Sequence, residues 1–258
     1  MRDSGERLRA ILDTAVEGIV TINERGAIES FNQASEKIFG YRARDVIGQN
    51  VSRLMPSPDR ERHDAYIANY LRTGRARIIG IGREVVGRRK DGTTFPMELS
   101  VSEVRLADRR LFTGFVRDIT ERKRAEKALL HYAALVESSD DAIIGKSLDG
   151  YITSWNRGAE NIFGYTRREM VGKHISIIVP PDRRGEEPAI MEKIKRGESV
   201  DHYETVRRRK DGRLINGSVT ISPLRDAERN IIGASRVARD ITERKRLERA
   251  RFFFIAPV

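Results

Sequence analysis

The chain has 258 residues, 39% hydrophobic and 34% charged, with a formal net charge of +11 and no cysteine. This length suits two domains of about 110–130 residues better than one core, and the lack of thiols excludes disulfides, thiolate metal sites, covalent c-type haem and cysteinyl–flavin adducts. No apolar run approaches the ~20 residues of a membrane span and the N-terminus lacks the apolar core of a secretory signal, so the sequence reads as cytoplasmic, without membrane contact.

The positive charge does not point to nucleic acid. Its basic residues sit mostly in "TERKRAEK", "GRRKDG", "VRRRKDG" and "TERKRLERAR", turn and helix segments laced with acids that read as solvated faces. No helix-turn-helix, zinc-finger or aromatic–basic platform accompanies them.

In chain order, "RLRAILDTA" predicts a short amphipathic helix. "EGIVTINERGAIESFN" follows as two apolar runs about a turn at Arg25-Gly26, a hairpin. "QASEKIFGY" is a short helix stopped by Gly40. The next helix, over residues 58–74, places His63 at the head of an apolar stripe formed with Tyr66, Ile67, Tyr70 and Leu71, while Asp59, Arg60, Glu61, Arg62 and Asp64 face water. Three strands complete the unit. "IIGIGREVVGRRK" turns at Asp91-Gly92 into "TTFPMELSVS", where Phe95, Met97, Leu99 and Val101 share one face, and "RRLFTGFVRDIT" closes the sheet. Two strands, several short helices and three strands make an antiparallel α+β domain.

The sequence then repeats itself. Residues 30–56 recur at 154–180, 87–102 at 207–222 and 116–126 at 238–248, so the chain is a duplication. The second hairpin turns at Asp149-Gly150, the second short helix ends at Gly164, and Ile215, Gly217, Val219 and Ile221 take the inward places of the first copy's strand. "DITERKRAEKALLHYAALVE" joins the copies without Gly, Pro or Ser. Ala125, Leu129, Tyr132, Ala133 and Val136 step along it by three and four, which predicts one continuous helix. Its functional reading is a parallel dimer stalk between domains; the alternative is a helix packed back on its own domain.

With N-x-x-[AS]-E-x-[IL]-F-G-Y, K-D-G and D-I-T-E-R-K in each copy, the chain resembles the PAS family over about residues 7–122 and 130–244. The resemblance implies two tandem α+β domains, each a five-stranded antiparallel sheet with short helices on one side. The expected division is a first domain at 1–122, a helical linker at 123–137, a second domain at 130–244 and the start of a further helix at 245–258. The fold alone does not name a function, because PAS domains hold haem, flavin, small acids or nothing.

The first copy resembles one branch more closely. "RHDAYI", "GIGREVVGRRKDGTTFPMELSVSEV" and "FTGFVRDIT" are similar to the haem-binding PAS domains of the FixL family of rhizobial oxygen sensors. The resemblance implies a b-type haem with His63 as iron ligand. Arg83 would be the distal switch, exchanging between a haem propionate and bound oxygen, and Ile78, Leu99 and Val101 the apolar distal wall. Tyr66 and Ile67 flank the ligand on its helix. Asn69 and Arg77 fall where propionates are expected and depart from the family pattern. The chemistry of the residues agrees: neutral histidine is a normal haem ligand, ligation would satisfy an otherwise unpaired buried ring nitrogen, and Gly80 and Gly82 leave room for a flat macrocycle.

The second copy serves as an internal control. The position of His63 falls at Glu186-Glu187 and that of Arg83 at Tyr203, so ligand and switch are both absent and no cofactor is expected there. Trp155 reads as core. Oxygen or another diatomic gas, a second copy of the chain, and a histidine kinase or response regulator are the implied partners. The chain itself carries no nucleotide-binding box, P-loop or nucleophile elbow. The competing readings are a cofactor-free dimerisation protein and the surviving part of a histidine kinase.

Overall fold

The computed structural model describes residues 12, 14–75, 80 and 82–255. Arg77 and Ile78, and most of the expected N-terminal helix, lie outside them. Two compact units result, Met1–Ala128 and Leu129–Val258, and each is a five-stranded antiparallel sheet with helices, as the duplication implies.

In the first unit, β1 (Gly18–Asn23) and β2 (Ile28–Phe31) form the hairpin, α1 (Gln33–Phe39) and α2 (Ala43–Val46) follow, and α3 (Asp59–Thr73) carries the histidine. β3 (Arg83–Arg88), β4 (Thr94–Arg105) and β5 (Arg110–Asp118) complete a sheet of order β2-β1-β5-β4-β3. A 19-residue helix, α4 (Thr120–Ser138), comes next, unbroken as expected. The second unit repeats the pattern with β6 (Ala142–Ser147), β7 (Ile152–Trp155), α5 (Arg157–Phe163), α6 (Arg167–Met170), α7 (Glu186–Lys195), β8 (Val200–Arg208), β9 (Leu214–Arg225) and β10 (Ile231–Asp240). Its sheet order is β7-β6-β10-β9-β8, and α8 (Thr242–Ile255) follows.

The repeated motifs explain why these residues fold this way. Asn32 caps α1: its Oδ1 accepts from Ser35 N at 2.9 Å and from Ile19 N at 2.8 Å, tying helix to sheet. Asn156 does the same for α5 with Ala159 N and Ile143 N. Such caps supply acceptors for the orphan N–H groups of a first turn. Glu36 accepts from Ala43 N at 2.6 Å and Glu160 from Arg167 N at 2.6 Å, which fixes the next helix in both copies. Phe39 and Phe163 are buried, and Gly40 and Gly164 end their helices at φ of 76° and 77°, where a Cβ would be strained. Asp118 and Asp240 accept from Thr120 N and Thr242 N, starting the helices that leave each sheet.

Two expectations need correction. β3 begins at Arg83; Gly80 has φ of 80° and donates its N–H to Val101 O at 3.0 Å, so it forms a turn before the strand. "VRRRKDG" is not wholly a solvated face, since Arg207 lies on the inward side of β8 with 2% of its side chain exposed. Strand alternation is the cause: neighbouring residues of one basic run point to opposite faces of the sheet.

Candidate functional site

The inward face of the first sheet and α3 meet only in part, at Tyr70 and Phe112. Between them lies a cavity of about 600 Å³, within the range of small-molecule and cofactor pockets. Val20 and Ile22 of β1, Met97, Leu99 and Val101 of β4, and Phe112, Gly114 and Val116 of β5 form its floor. This follows from alternation, which turns every second residue of a strand to the same face. Phe39, Val51 and Leu54 close one end.

α3 forms the roof and is held at two points. Asp64 accepts from Asn50 Nδ2 at 2.9 Å, and Tyr70 donates to Glu103 Oε2 on β4 at 3.0 Å while its ring meets Phe112 edge-on at 5.8 Å. No residue of α3 is fully buried. The expected stripe is therefore altered: His63, Ile67 and Tyr70 are half-buried above the cavity and Leu71 is half-buried against the core, whereas Tyr66 is exposed at the cavity mouth, its hydroxyl turned to Asp59. Asp59, expected only to face water, also borders the mouth.

The His63 ring lines the cavity, and its Nδ1 is buried without a hydrogen-bond partner. Burial lowers its pKa below the usual histidine value against the opposing pull of Asp64 and Asp59. The imidazole is thereby held neutral near pH 7 with a lone pair available, the form that ligates metals. Leu99, Val101, Ile67, Tyr66, Asn69 and Arg83 border the same cavity. Arg75, which the sequence reading passed over, does too. It directly follows Gly74, the left-handed stop of α3, so helical periodicity gave no signal for it. Arg75 and Arg83 put two cations, with Asp59 as the single carboxylate among the described residues there, around a chamber whose floor is apolar, an arrangement suited to an apolar ligand with acidic substituents.

The second unit is built differently at the equivalent places. Register identifies them: Gly87 pairs with Phe95 as Arg207 pairs with Ile215, and Ile22 pairs with Phe112 as Lys146 pairs with Ala234. Gly114 is flanked by Val20 and Val101 as Arg236 is flanked by Ile144 and Ile221. Where the first unit has glycine, glycine and isoleucine, the second has three buried cations. Glu187, at the position of the histidine, accepts from Lys146 Nζ at 2.6 Å and from Arg236 Nη2. Glu186 accepts from Arg207 Nη1 at 2.9 Å. Ile190, Met191 and Ile194 of α7 are buried against the sheet. Trp155 is core, its Nε1 donating to Tyr165 O at 3.0 Å.

The model of the PAS fold matches residues 6–119 and 130–241, and the chain belongs to that family as two tandem copies. It is 40% identical over 176 residues to sensor protein FixL of Bradyrhizobium diazoefficiens, covering 67% of this chain and 35% of that protein. It is 27% identical over 241 residues to the oxygen sensor protein DosP of Escherichia coli, covering 92% of this chain and 30% of that protein. The cell-division control histidine kinase PdhS of Brucella anthropi is 33% identical over 129 residues, 50% of this chain and 12% of that protein. The chain thus spans about a third or less of the length of these relatives. It is a tandem PAS chain whose relatives include sensor proteins and a histidine kinase, and among the described residues no helix is long and apolar enough to cross a membrane.

Proposed function

We propose that the first domain holds a b-type haem and is the oxygen-sensing part of a cytoplasmic two-component signalling protein. The observation that carries this reading is the buried, unpartnered Nδ1 of a neutral His63 in a cavity of about 600 Å³ with an apolar floor. The donor set fits the group: one neutral imidazole lines a cavity with an apolar floor and two guanidinium groups border it, and a macrocycle would supply the remaining ligands of a metal at His63. Haem supplies reversible coordination of a diatomic gas when bound.

The chain's own residues do the rest. His63 would hold the iron, and Leu99 and Val101, which line the same cavity, would keep water from the group, with Ile78 assigned beside them by resemblance. Ile67 and Tyr66 pack along the ligand's edge. Arg75 and Arg83 would pair with its carboxylates, with Asn69 near them, and Arg77 is assigned there by resemblance alone. Arg83 is the first residue of β3 and exposed, so its side chain would be free to exchange partners on this reading. The sheet and α4 then pass a shift between two populations to the output. Leu129, Leu130, Tyr132 and Leu135 of α4 are between 54% and 70% exposed, which supports a second copy of the chain as partner through this helix. The output partner on this reading is a histidine kinase or response regulator.

The test is an absorption spectrum of the protein reconstituted with haemin, reduced and then exposed to air, beside His63→Ala. One Soret-absorbing haem per chain, shifting reversibly with oxygen and lost in the variant, is expected. An additive haemin spectrum in both proteins would leave the reading without its ligand.

A further inference from the structure

The filled core of the second domain has more donors than acceptors. Lys146, Arg207 and Arg236 have side chains 0%, 2% and 1% exposed. Two carboxylates face them, Glu186 and Glu187. Glu187 is spoken for by Lys146 and Arg236, and Arg207 Nη2 comes only to 3.7 Å of it. Arg207 Nη1 is shared among Glu186 Oε2, Thr205 Oγ1 and Val206 O. Four guanidinium nitrogens are left buried without an acceptor: Nε and Nη2 of Arg207, and Nε and Nη1 of Arg236.

Both the hydrogen bonds and the charge are therefore out of balance. A guanidinium is always ionised and carries five N–H donors with no acceptor of its own. Buried donors in folded proteins are satisfied almost without exception, and a buried cation is tolerated only when paired. Among the side chains closed from solvent, three cations against two anions leave a surplus of one positive charge; Arg183, which also donates to Glu186 at 2.9 Å, is 38% exposed and keeps its charge in water. A water molecule would satisfy donors but not the charge. The surplus is felt within the cluster itself: burial, and then repulsion from Arg236, bring the Lys146 pKa down to about 8.

We propose that the second domain binds one small monovalent inorganic anion, of the size of chloride or nitrate, between the guanidinium groups of Arg207 and Arg236. The single surplus charge sets the valence, and the closure of all three cationic side chains from solvent sets the size. Two strands fix the site: Arg207 on β8 and Arg236 on β10 flank β9 and reach across the inward face toward Glu187 on α7. The second domain thus holds an ion where the first holds its cavity, and this inference stands independently of any haem in the first domain.

The chain's single tryptophan, Trp155, lies in this core and reports on it alone. Urea unfolding of the full chain is followed by Trp155 fluorescence in sodium chloride, bromide or nitrate, with sodium gluconate keeping ionic strength constant. The expected result is a saturable rise in the unfolding midpoint with the small anions. A dissociation constant near 1 mM would raise the folded-to-unfolded ratio about a hundredfold at 100 mM. Arg207→Gln and Arg236→Gln should remove the dependence. Because either variant is at risk of not folding, the wild-type protein crystallised from bromide provides the second measurement. An anomalous peak within hydrogen-bonding reach of Arg207 Nη2 and Arg236 Nη1 is expected. Equal midpoints in chloride and gluconate, an anion dependence that survives in folded Arg236→Gln, or no bromide at that place would each overturn the proposal and leave water as the missing acceptor.

Discussion

Gly114 and Arg236 occupy the same place in the two sheets, the first flanked by Val20 and Val101 and the second by Ile144 and Ile221. With hydrogen at that place the first sheet keeps open space above it; with a guanidinium the second fills it. One duplication has thereby produced two interiors on one backbone, because a strand residue can be exchanged without disturbing the ladder that its main chain makes.

The first prediction reverses that exchange in part. A Cβ added at Gly114 meets Leu99 Cδ1 at 3.4 Å and Val20 O at 3.7 Å, ordinary contacts, so Gly114→Met should fold with its side chain in the cavity. Haemin titration followed at the Soret band should show at least about a tenfold loss of affinity, about 1.4 kcal/mol. Unchanged affinity would mean that the ligand does not use this floor. Gly87 is the wrong place for the same test, since a Cβ there comes within 2.7 Å of the Phe95 ring and would disturb the sheet itself.

His63 makes the haem-free protein sensitive to acid. Its folded pKa lies below the ordinary 6.5 because burial disfavours the imidazolium. As pH falls from 6.5 toward the folded value, the unfolded chain takes up a proton that the folded chain refuses, so stability is lost. Above 6.5 this residue contributes no slope. The urea midpoint of wild type, read by circular dichroism relative to that of His63→Leu, should fall as pH drops below 6.5. A constant difference would show that the ring is already solvated.

The sequence made the backbone plan legible and the interiors only in part. The motifs carried the plan because each residue has a local, short-range job: Asn32 caps, Glu36 receives the next helix, and Gly40 and Gly92 turn left-handed. Met97, Leu99 and Val101 were readable as one face by alternation, and His63 stood out as the one polar residue heading an apolar stripe. Tyr66 was misread because helical spacing gives angle around an axis and not distance from the sheet; a roof over a cavity leaves its edge residues wet. Lys146, Arg207 and Arg236 escaped notice because each sits among other charged or small residues. Only alignment with Ile22, Gly87 and Gly114 in the sister copy reveals that three apolar or empty places have become charged.

Self-association through α4 is open to a direct test. Leu129 and Tyr132 are 70% and 65% exposed, and no residue of the helix is buried. An exposed apolar stripe of this kind is satisfied by a like partner. Leu129→Asp combined with Leu135→Asp should convert a dimer to a monomer in sedimentation velocity, with far-ultraviolet dichroism preserved. A wild-type protein that sediments as a monomer at tens of micromolar would remove the stalk from the signalling route.

The second domain should owe part of its stability to Glu187. Burial opposes ionisation of this carboxyl, yet Arg236 and Lys146 together outweigh it and bring the pKa from 4.5 to about 2. Glu187→Gln leaves the buried cations facing Glu186 alone, and removing one partner of such a group costs about 3–5 kcal/mol. Trp155 fluorescence in urea should show a loss of that order. The pH dependence has a definite sign. The Glu187 contribution is complete above pH 4.5 and is lost as pH falls toward 2, because the unfolded chain binds the extra proton in that window. Lys146, with a folded pKa of about 8 against 10.5, acts in the same direction at the other end: from pH 8 to 10.5 the folded chain has released a proton that the unfolded chain keeps, so stability climbs again. The Trp155 midpoint should therefore rise with pH in both windows, and Glu187→Gln should make the acid rise shallower, leaving the share of Glu186 and Glu169, whose pKa values are also held below the usual range by their partners. A midpoint flat from pH 2 to 4.5 in the wild type would mean that water reaches Glu187 and that the core is not closed.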